Sequence, residues 1–188
     1  MTAWKKKREV MRNYDSLAPT YDVQYAEEQN EKMKTALRCV HIKDDSYVLD
    51  LGCGTGLLFE HVWNRTKLLV GLDVSTKILK VAKRRAKRFP NVAILRADAD
   101  LTPFPNETFD AVFAITLLQN MPNPLSTLQE TKRISKRHAL IAVTGLKKEF
   151  TQDAFIRLLK EADLKVSVMK ANNHLKGYVA ICRKTFSN

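Results

Sequence analysis

Tyr47-Val-Leu-Asp-Leu-Gly-Cys-Gly-Thr-Gly56 decides the fold. The apolar run Tyr47–Leu51 reads as a buried strand that carries one acid, Asp50, near its end. Gly52, Gly54 and Gly56 follow at alternate positions, and a helix is predicted from about Leu57, so the chain turns sharply from strand into helix. Glycines there permit a tight turn and a close approach of backbone to a ligand. In doubly wound sheets, ligands bind at this carboxyl edge. A dinucleotide fingerprint needs GxGxxG; here the third glycine comes one position early, and Leu57 takes the expected place. No GKS or GKT follows to make a P-loop. Asp50 would repel a pyrophosphate and suits a ligand that carries an ammonium group.

Outward from this turn, strand-like and helix-like segments alternate, which predicts an α/β sheet, mostly parallel and covered on both faces. Strands are expected at 47–51, 68–73, 92–97, 111–116, 139–144, 164–169 and 178–183. Helices are expected at 57–64, from a Ser75 cap to Phe89, at 124–134 behind an Asn123 cap, and from a Thr151 cap to about 162. The stretch 171–177 is too short for a crossover helix, so the final strands should form an antiparallel pair. Residues 3–13 read as a basic helix. Residues 23–40 read as another, with Val23, Ala26, Met33, Leu37 and Val40 on its buried side. The expected organisation is one domain over 1–188: a helical, basic arm and lid at 1–45 and a binding core at 46–188.

Composition narrows the class. The chain has 188 residues, 45% of them hydrophobic, enough for a sizeable core. No apolar run approaches the roughly 18 residues of a membrane span, so no membrane partner is expected. Lys5, Lys6, Lys7 and Arg8 are followed by Glu9, Arg12, Asn13 and Asp15 rather than a signal core. Cys39, Cys53 and Cys182 are odd in number and lack a CxxC pair, which argues against disulfides or zinc and for a cytoplasmic setting. Lys plus Arg reach 32 against 20 Asp plus Glu, a net +12. That excess favours polyanionic partners, RNA first. One basic cluster, Lys77, Lys80, Lys83, Arg84, Arg85, Lys87 and Arg88, crowds a single helix, and Lys132, Arg133, Lys136 and Arg137 form another. Lys5, Lys6, Lys7, Arg8 and Arg12, with Trp4, make an arm expected to grip phosphates and stack a base.

The 47–56 segment resembles motif I of the class I S-adenosylmethionine-dependent methyltransferases. Three further stretches are similar to the UbiE-like branch: Tyr14-Asp-Ser-Leu-Ala-Pro-Thr-Tyr-Asp22, Gly71-Leu-Asp-Val-Ser75, and Ala97-Asp-Ala-Asp-Leu-Thr-Pro-Phe-Pro105 with Thr108-Phe-Asp110 at the matching distance. The likeness runs from Tyr14 to Thr144. It implies a Rossmann-like seven-stranded sheet of order 3-2-1-4-5-7-6, and S-adenosylmethionine as cofactor. It implies cofactor contacts from Tyr21, Asp50, Gly52, Cys53, Gly54, Gly56, Asp73, Val74, Asp98, Ala99 and Thr116. Asp73 would accept from the ribose hydroxyls, Val74 would pack on adenine with Ile78 behind it, and Asp98 and the Ala99 amide would read the ring. Tyr14 or Tyr21 would cover the methionine end.

Methyl transfer from a sulfonium is an in-line displacement that needs alignment and an acceptor lone pair. No Ser-His-Asp set or metal is required, and His41, His61, His138 and His174 are scattered. The acceptor contacts are expected in Thr116-Leu-Leu-Gln-Asn-Met-Pro-Asn-Pro124. There Gln119 and Asn120 could accept from an exocyclic amine and turn its lone pair to the methyl. The segment departs from the Asn/Asp-Pro-Pro-Tyr signature of base-amine relatives, and Asn120 could instead cap the turn before Pro122. The leading expectation is an RNA methyltransferase acting on a base nitrogen of ribosomal or transfer RNA, with target choice on its own basic surfaces or a partner protein. The alternatives are a protein lysine enzyme, a UbiE-like small-molecule enzyme, and an inactive scaffold; Asp50, Gly52, Gly54 and Asp73 argue against the last.

Overall fold

The computed structural model describes residues 2–185. Among these, seven strands form one sheet: β1 (Tyr47–Leu51), β2 (Leu68–Asp73), β3 (Val92–Arg96), β4 (Phe109–Ala114), β5 (Ser135–Leu146), β6 (Leu164–Lys170) and β7 (Gly177–Lys184). The order is β3-β2-β1-β4-β5-β7-β6, as the resemblance implied. Strands β1 to β5 pair in parallel, and β7 runs antiparallel to both β5 and β6. The helices are α1 (Ala3–Leu17), α2 (Tyr21–Leu37), α3 (Phe59–Val62), α4 (Thr76–Ala86), α5 (Pro124–Ile134) and α6 (Gln152–Glu161).

Strand periodicity explains the layering. Val48 and Leu69 point to one face, where Met33, Ala36, Phe59, Leu79 and Ala82 from α2, α3 and α4 cover them. Leu49, Leu51, Val70 and Leu72 point to the other, against Met121 and Ile134. Both faces are buried, so these central strands read as continuous apolar runs. The three expected caps are present: Ser75 Oγ accepts from the Ile78 amide, Asn123 Oδ1 from Leu125 and Ser126, and Thr151 Oγ1 from Ala154. No helix among the described residues is long and apolar enough to cross a membrane.

Several boundaries move. Helix α4 stops at Ala86, short of Phe89, and the helix expected at 57–64 is the single turn α3 followed by a 3-10 turn at Trp63–Arg65. Strand β4 lies two residues earlier than expected, because Thr116 takes a left-handed φ of 59° and leads the chain out of the sheet. Strand β5 starts directly after α5. Helix α2 begins at Tyr21, and Val23, expected to be buried, is 90% exposed. The buried face of α2 instead carries Tyr21, Gln29, Lys32, Met33 and Ala36. Its polar members turn toward the carboxyl edge of the sheet, where Gln29 and Lys32 meet Thr116.

Candidate active site

The carboxyl ends of β1, β2 and β4 surround one cavity. Gly52, Gly54, Asp73, Val74, Asp98 and Ala99 border it from the sheet side. Helix α1 closes it with Lys7, Val10, Met11 and Tyr14, and the segment after β4 adds Ile115, Thr116, Leu117, Asn120 and Met121. A smaller cleft adjoins it, bordered by Asp50, Cys53, Thr55, Gln29 and Tyr21.

The glycine turn is built as its spacing required. Gly52, Gly54 and Gly56 have φ of 75°, 54° and 81°, the left-handed region that glycine reaches without strain. The Gly52 and Cys53 amides both donate to Leu72 O, at 2.8 and 2.9 Å. Asp73 then pins the turn to the start of α4, its Oδ2 accepting from the Gly54 amide at 3.0 Å and its Oδ1 from the Ser75 amide at 2.9 Å. Each oxygen keeps a lone pair that a ribose hydroxyl can use. Gly56, grouped by resemblance with the cofactor contacts, borders neither cavity. A Cβ there would lie 2.2 Å from the Phe59 ring, so this glycine seats α3 against the turn.

Asp50 is 2% exposed, and its Oδ2 has no hydrogen-bond partner. Burial first, then the charge of Asp73, pushes its pKa up to about 8. A buried carboxylate without a donor is costly, and an ammonium group entering the smaller cleft would remove that cost. The orphaned oxygen therefore fits the amino-acid end of S-adenosylmethionine. Burial raises the Cys53 thiol well above its usual range, which keeps it protonated and unsuited to attack.

At the other end, Asp98, Ala99 and Val74 border the cavity as expected for an adenine site. One expectation fails there. Lys7, placed by sequence on a phosphate-gripping arm, turns inward: its Nζ lies 2.6 Å from both Asp98 Oδ2 and Asp100 Oδ2. The other members of that arm, Trp4, Lys5, Lys6, Arg8 and Arg12, border neither cavity and are exposed on α1. Lys6 reaches the Met121 carbonyl at 3.3 Å.

The segment after β4 centres on Thr116. Its amide donates to Thr144 Oγ1 at 2.6 Å, and its hydroxyl donates to Gln29 Oε1 at 2.7 Å while accepting from Lys32 Nζ at 3.1 Å. Its carbonyl receives the side-chain amides of Gln119 at 2.8 Å and Asn120 at 3.0 Å. Asn120 Nδ2 also donates to Tyr14 Oη at 2.9 Å, which leaves the phenol's own proton for another acceptor. Burial raises Tyr14 and keeps it protonated. Asn120 and Thr116 border the cavity; Gln119 does not, and its Oε1 is buried without a partner. Gln119 is thus a brace for the Thr116 turn rather than an acceptor contact. Tyr14 and Tyr21 both border the cavity, with ring centroids 5.9 Å apart. Of the apolar wall, Leu117 and Met121 fall in the segment expected to meet the acceptor, whereas Val10 and Met11 carry no motif in the sequence. Their one available signal was the spacing of Val10, Met11 and Tyr14, which places them on one face of α1.

A family model described as a methyltransferase domain matches residues 49–143. An uncharacterized protein of Methanocaldococcus jannaschii is 31% identical over 74% of this chain and 53% of its own length. The demethylmenaquinone methyltransferase of Tropheryma whipplei strain Twist is 28% identical over 70% of this chain and 56% of its own. The chain thus spans about half the length of these curated relatives. Among solved structures, a chain from the complex between the Haloferax volcanii Trm112 methyltransferase activator and a methyltransferase superposes with a TM-score of 0.80 at 16% identity, covering 92% of this chain and 98% of that one. A SAM-dependent methyltransferase from Aquifex aeolicus gives 0.73 at 21% identity, covering 93% and 98%. The turn, the pinned Asp73 and the family match over half the chain agree, and the protein belongs to the class I S-adenosylmethionine-dependent methyltransferases, in the UbiE-like branch.

Proposed function

We propose that the chain transfers a methyl group to a small, flat, largely apolar acceptor that enters the cavity beneath α1. The observation that carries this reading is the cavity's apolar lining: Met11, Tyr14, Tyr21, Ile115, Leu117 and Met121 border the same cavity as Asp73 and Val74, with Asn120 and Thr116 as polar points. Such a mostly apolar chamber with few polar groups is the usual form of a small-molecule site. S-adenosylmethionine supplies a methyl on a sulfonium, ready for in-line displacement. Asp50 holds its ammonium, Asp73 its ribose hydroxyls, Val74 and Ala99 its adenine. Tyr14, fixed by Asn120, would donate to an acceptor oxygen and turn the attacking atom toward the methyl; the sulfonium sulfur keeps the bonding pair as the methyl leaves it, and the attacking atom gives its proton to solvent.

The basic surface favours a second reading, a base of an RNA chain inserted into the same chamber. Lys5, Arg8 and Arg12 are exposed on α1, and Lys77, Lys80 and Arg84 on α4, with Lys87 just past its end; α1 packs against α4. Incubation with methyl-labelled cofactor and separate RNA, protein and organic-soluble extracts divides the two. Label in the organic-soluble fraction supports the first reading; label in RNA alone, lost on ribonuclease treatment, replaces it with the second. A protein partner is proposed on the likeness to the chain from the Trm112 activator complex. Co-purification of a small protein with the tagged chain from its own cells tests it.

A further inference from the structure

Helix α1 borders the cavity along about two turns, through Lys7, Val10, Met11 and Tyr14, yet it has no fully buried side chain. Its two ends are held differently. At the carboxyl end, Asp15 Oδ1 accepts from the Ser75 hydroxyl at 2.6 Å and the Lys77 amide at 2.9 Å, and Tyr14 receives Asn120. Just beyond, Ala18 and Tyr21 pack on Ile78. The amino end rests on polar ties: Lys7 between two carboxylates, and Lys6 on a carbonyl. Those carboxylates belong to the body of the protein. Asp98 Oδ1 accepts from the Asp100 amide at 3.0 Å, and Asp100 Oδ1 from the Thr127 hydroxyl. Lys7, Asp98 and Asp100 are only 13%, 28% and 16% exposed, so solvent screens the ammonium and its partners in part only.

We propose that α1 is a gate on the cofactor cavity, hinged at Asp15 and Ala18 and latched by Lys7 on Asp98 and Asp100. A ligand that reaches from Asp50 to Asp98 lies beneath about two turns of this helix, so its passage requires the amino end to lift. Lifting separates one ammonium from two carboxylates, and the rate of passage follows the strength of that contact. By its neighbours in the chain Lys7 resembles a phosphate ligand; its position makes it the fastening of the cofactor site. This inference rests on the cofactor assignment and not on the nature of the acceptor.

The test follows dissociation of S-adenosylhomocysteine by stopped-flow fluorescence. The chain has two tryptophans, so Trp63→Phe leaves Trp4, on α1 and 53% exposed, as the reporter. Lys7→Met removes the bolt, and Asp100→Asn weakens the plate at a residue that does not itself border the cavity. Both variants should release the ligand about tenfold faster than the parent, as removal of a shielded charge pair acts mainly on the off-rate. Raising NaCl from about 0.05 to about 0.5 M should speed release from the parent and leave Lys7→Met nearly unmoved. Trypsin should also cut after Lys5 to Arg12 faster in the unliganded variants. Off-rates within about twofold of the parent in both variants, whatever their melting temperatures, overturn the gate, since the contact then only packs. A parent that binds no S-adenosylhomocysteine removes the cofactor assignment itself, a distinct failure.

Discussion

Asp50 closes β1 with one carboxylate oxygen that no donor reaches, beside a second buried acid, Asp73. Folding therefore favours its protonated form, with a pKa of about 8 against an ordinary value near 4. Between about pH 4 and pH 8 the native state holds a proton that the unfolded chain has released, so stability falls as pH rises through that window, by up to about 1.4 kcal/mol per pH unit. Asp50→Asn should flatten that slope, read as the melting temperature from pH 5 to pH 8. An unchanged slope would place the titration elsewhere. Cofactor binding should reverse the protonation, because an ammonium beside Asp50 favours the carboxylate. Calorimetry at pH 6.5 in buffers of different ionisation enthalpy should then show release of close to one proton per ligand bound. The same substitution should weaken cofactor binding by about 10- to 150-fold, the range for losing a hydrogen bond to a charged group.

At the scale of elements, the strand–turn–helix at 47–62 was readable because each residue type there has one physical use. An apolar run can only be buried, and glycines at alternate positions can only turn. What the pattern could not separate was a glycine that faces a ligand from a glycine that admits a neighbour. Gly54 has open space where a Cβ would be, whereas Gly56 has the Phe59 ring. Gly56→Ala combines a strained positive φ with an overpacked contact, and should destabilise by about 2–4 kcal/mol. Gly54→Ala has the strain without the collision and should cost about 1–2 kcal/mol, while interfering with ligand binding. Denaturant midpoints of the two variants check the order; a Gly56→Ala as stable as Gly54→Ala would remove the packing role. Helix α2 failed in the opposite way. Its buried face includes Gln29 and Lys32, polar residues that an apolar count sends to solvent, so the periodicity slipped and put Val23 inside. Buried polar groups with specific partners are where sequence patterns break, and here they surround Thr116.

For the whole molecule, strand order and cofactor edge came from local signals repeated along the chain, whereas the roof over the cavity depended on a contact between residues far apart. Lys7 meets Asp98 across 91 positions, and nothing in either neighbourhood announces the pairing. The net charge of +12 pointed to polyanions, yet the arm chosen to bind them folds as α1 and lends one lysine to the interior. One basic surface still open to a polyanion is the outer face of α1 and α4. Lys77, Lys80, Arg84 and Lys87 recur at helical spacing, opposite the buried Ile78, Leu79, Ala82 and Ala86. If this surface holds an RNA backbone, binding of transfer RNA should weaken steeply with salt. The triple variant Lys80→Glu, Arg84→Glu, Lys87→Glu should lower the log–log salt slope by about 2–3, near one unit for each phosphate that is no longer neutralised. Its affinity for S-adenosylhomocysteine should stay within about twofold, because none of the three residues borders the cavity. Filter binding across a salt series measures the first quantity and calorimetry the second. A slope unchanged by the triple substitution would leave the excess charge as plain solvated surface and remove the support on which the RNA reading stands.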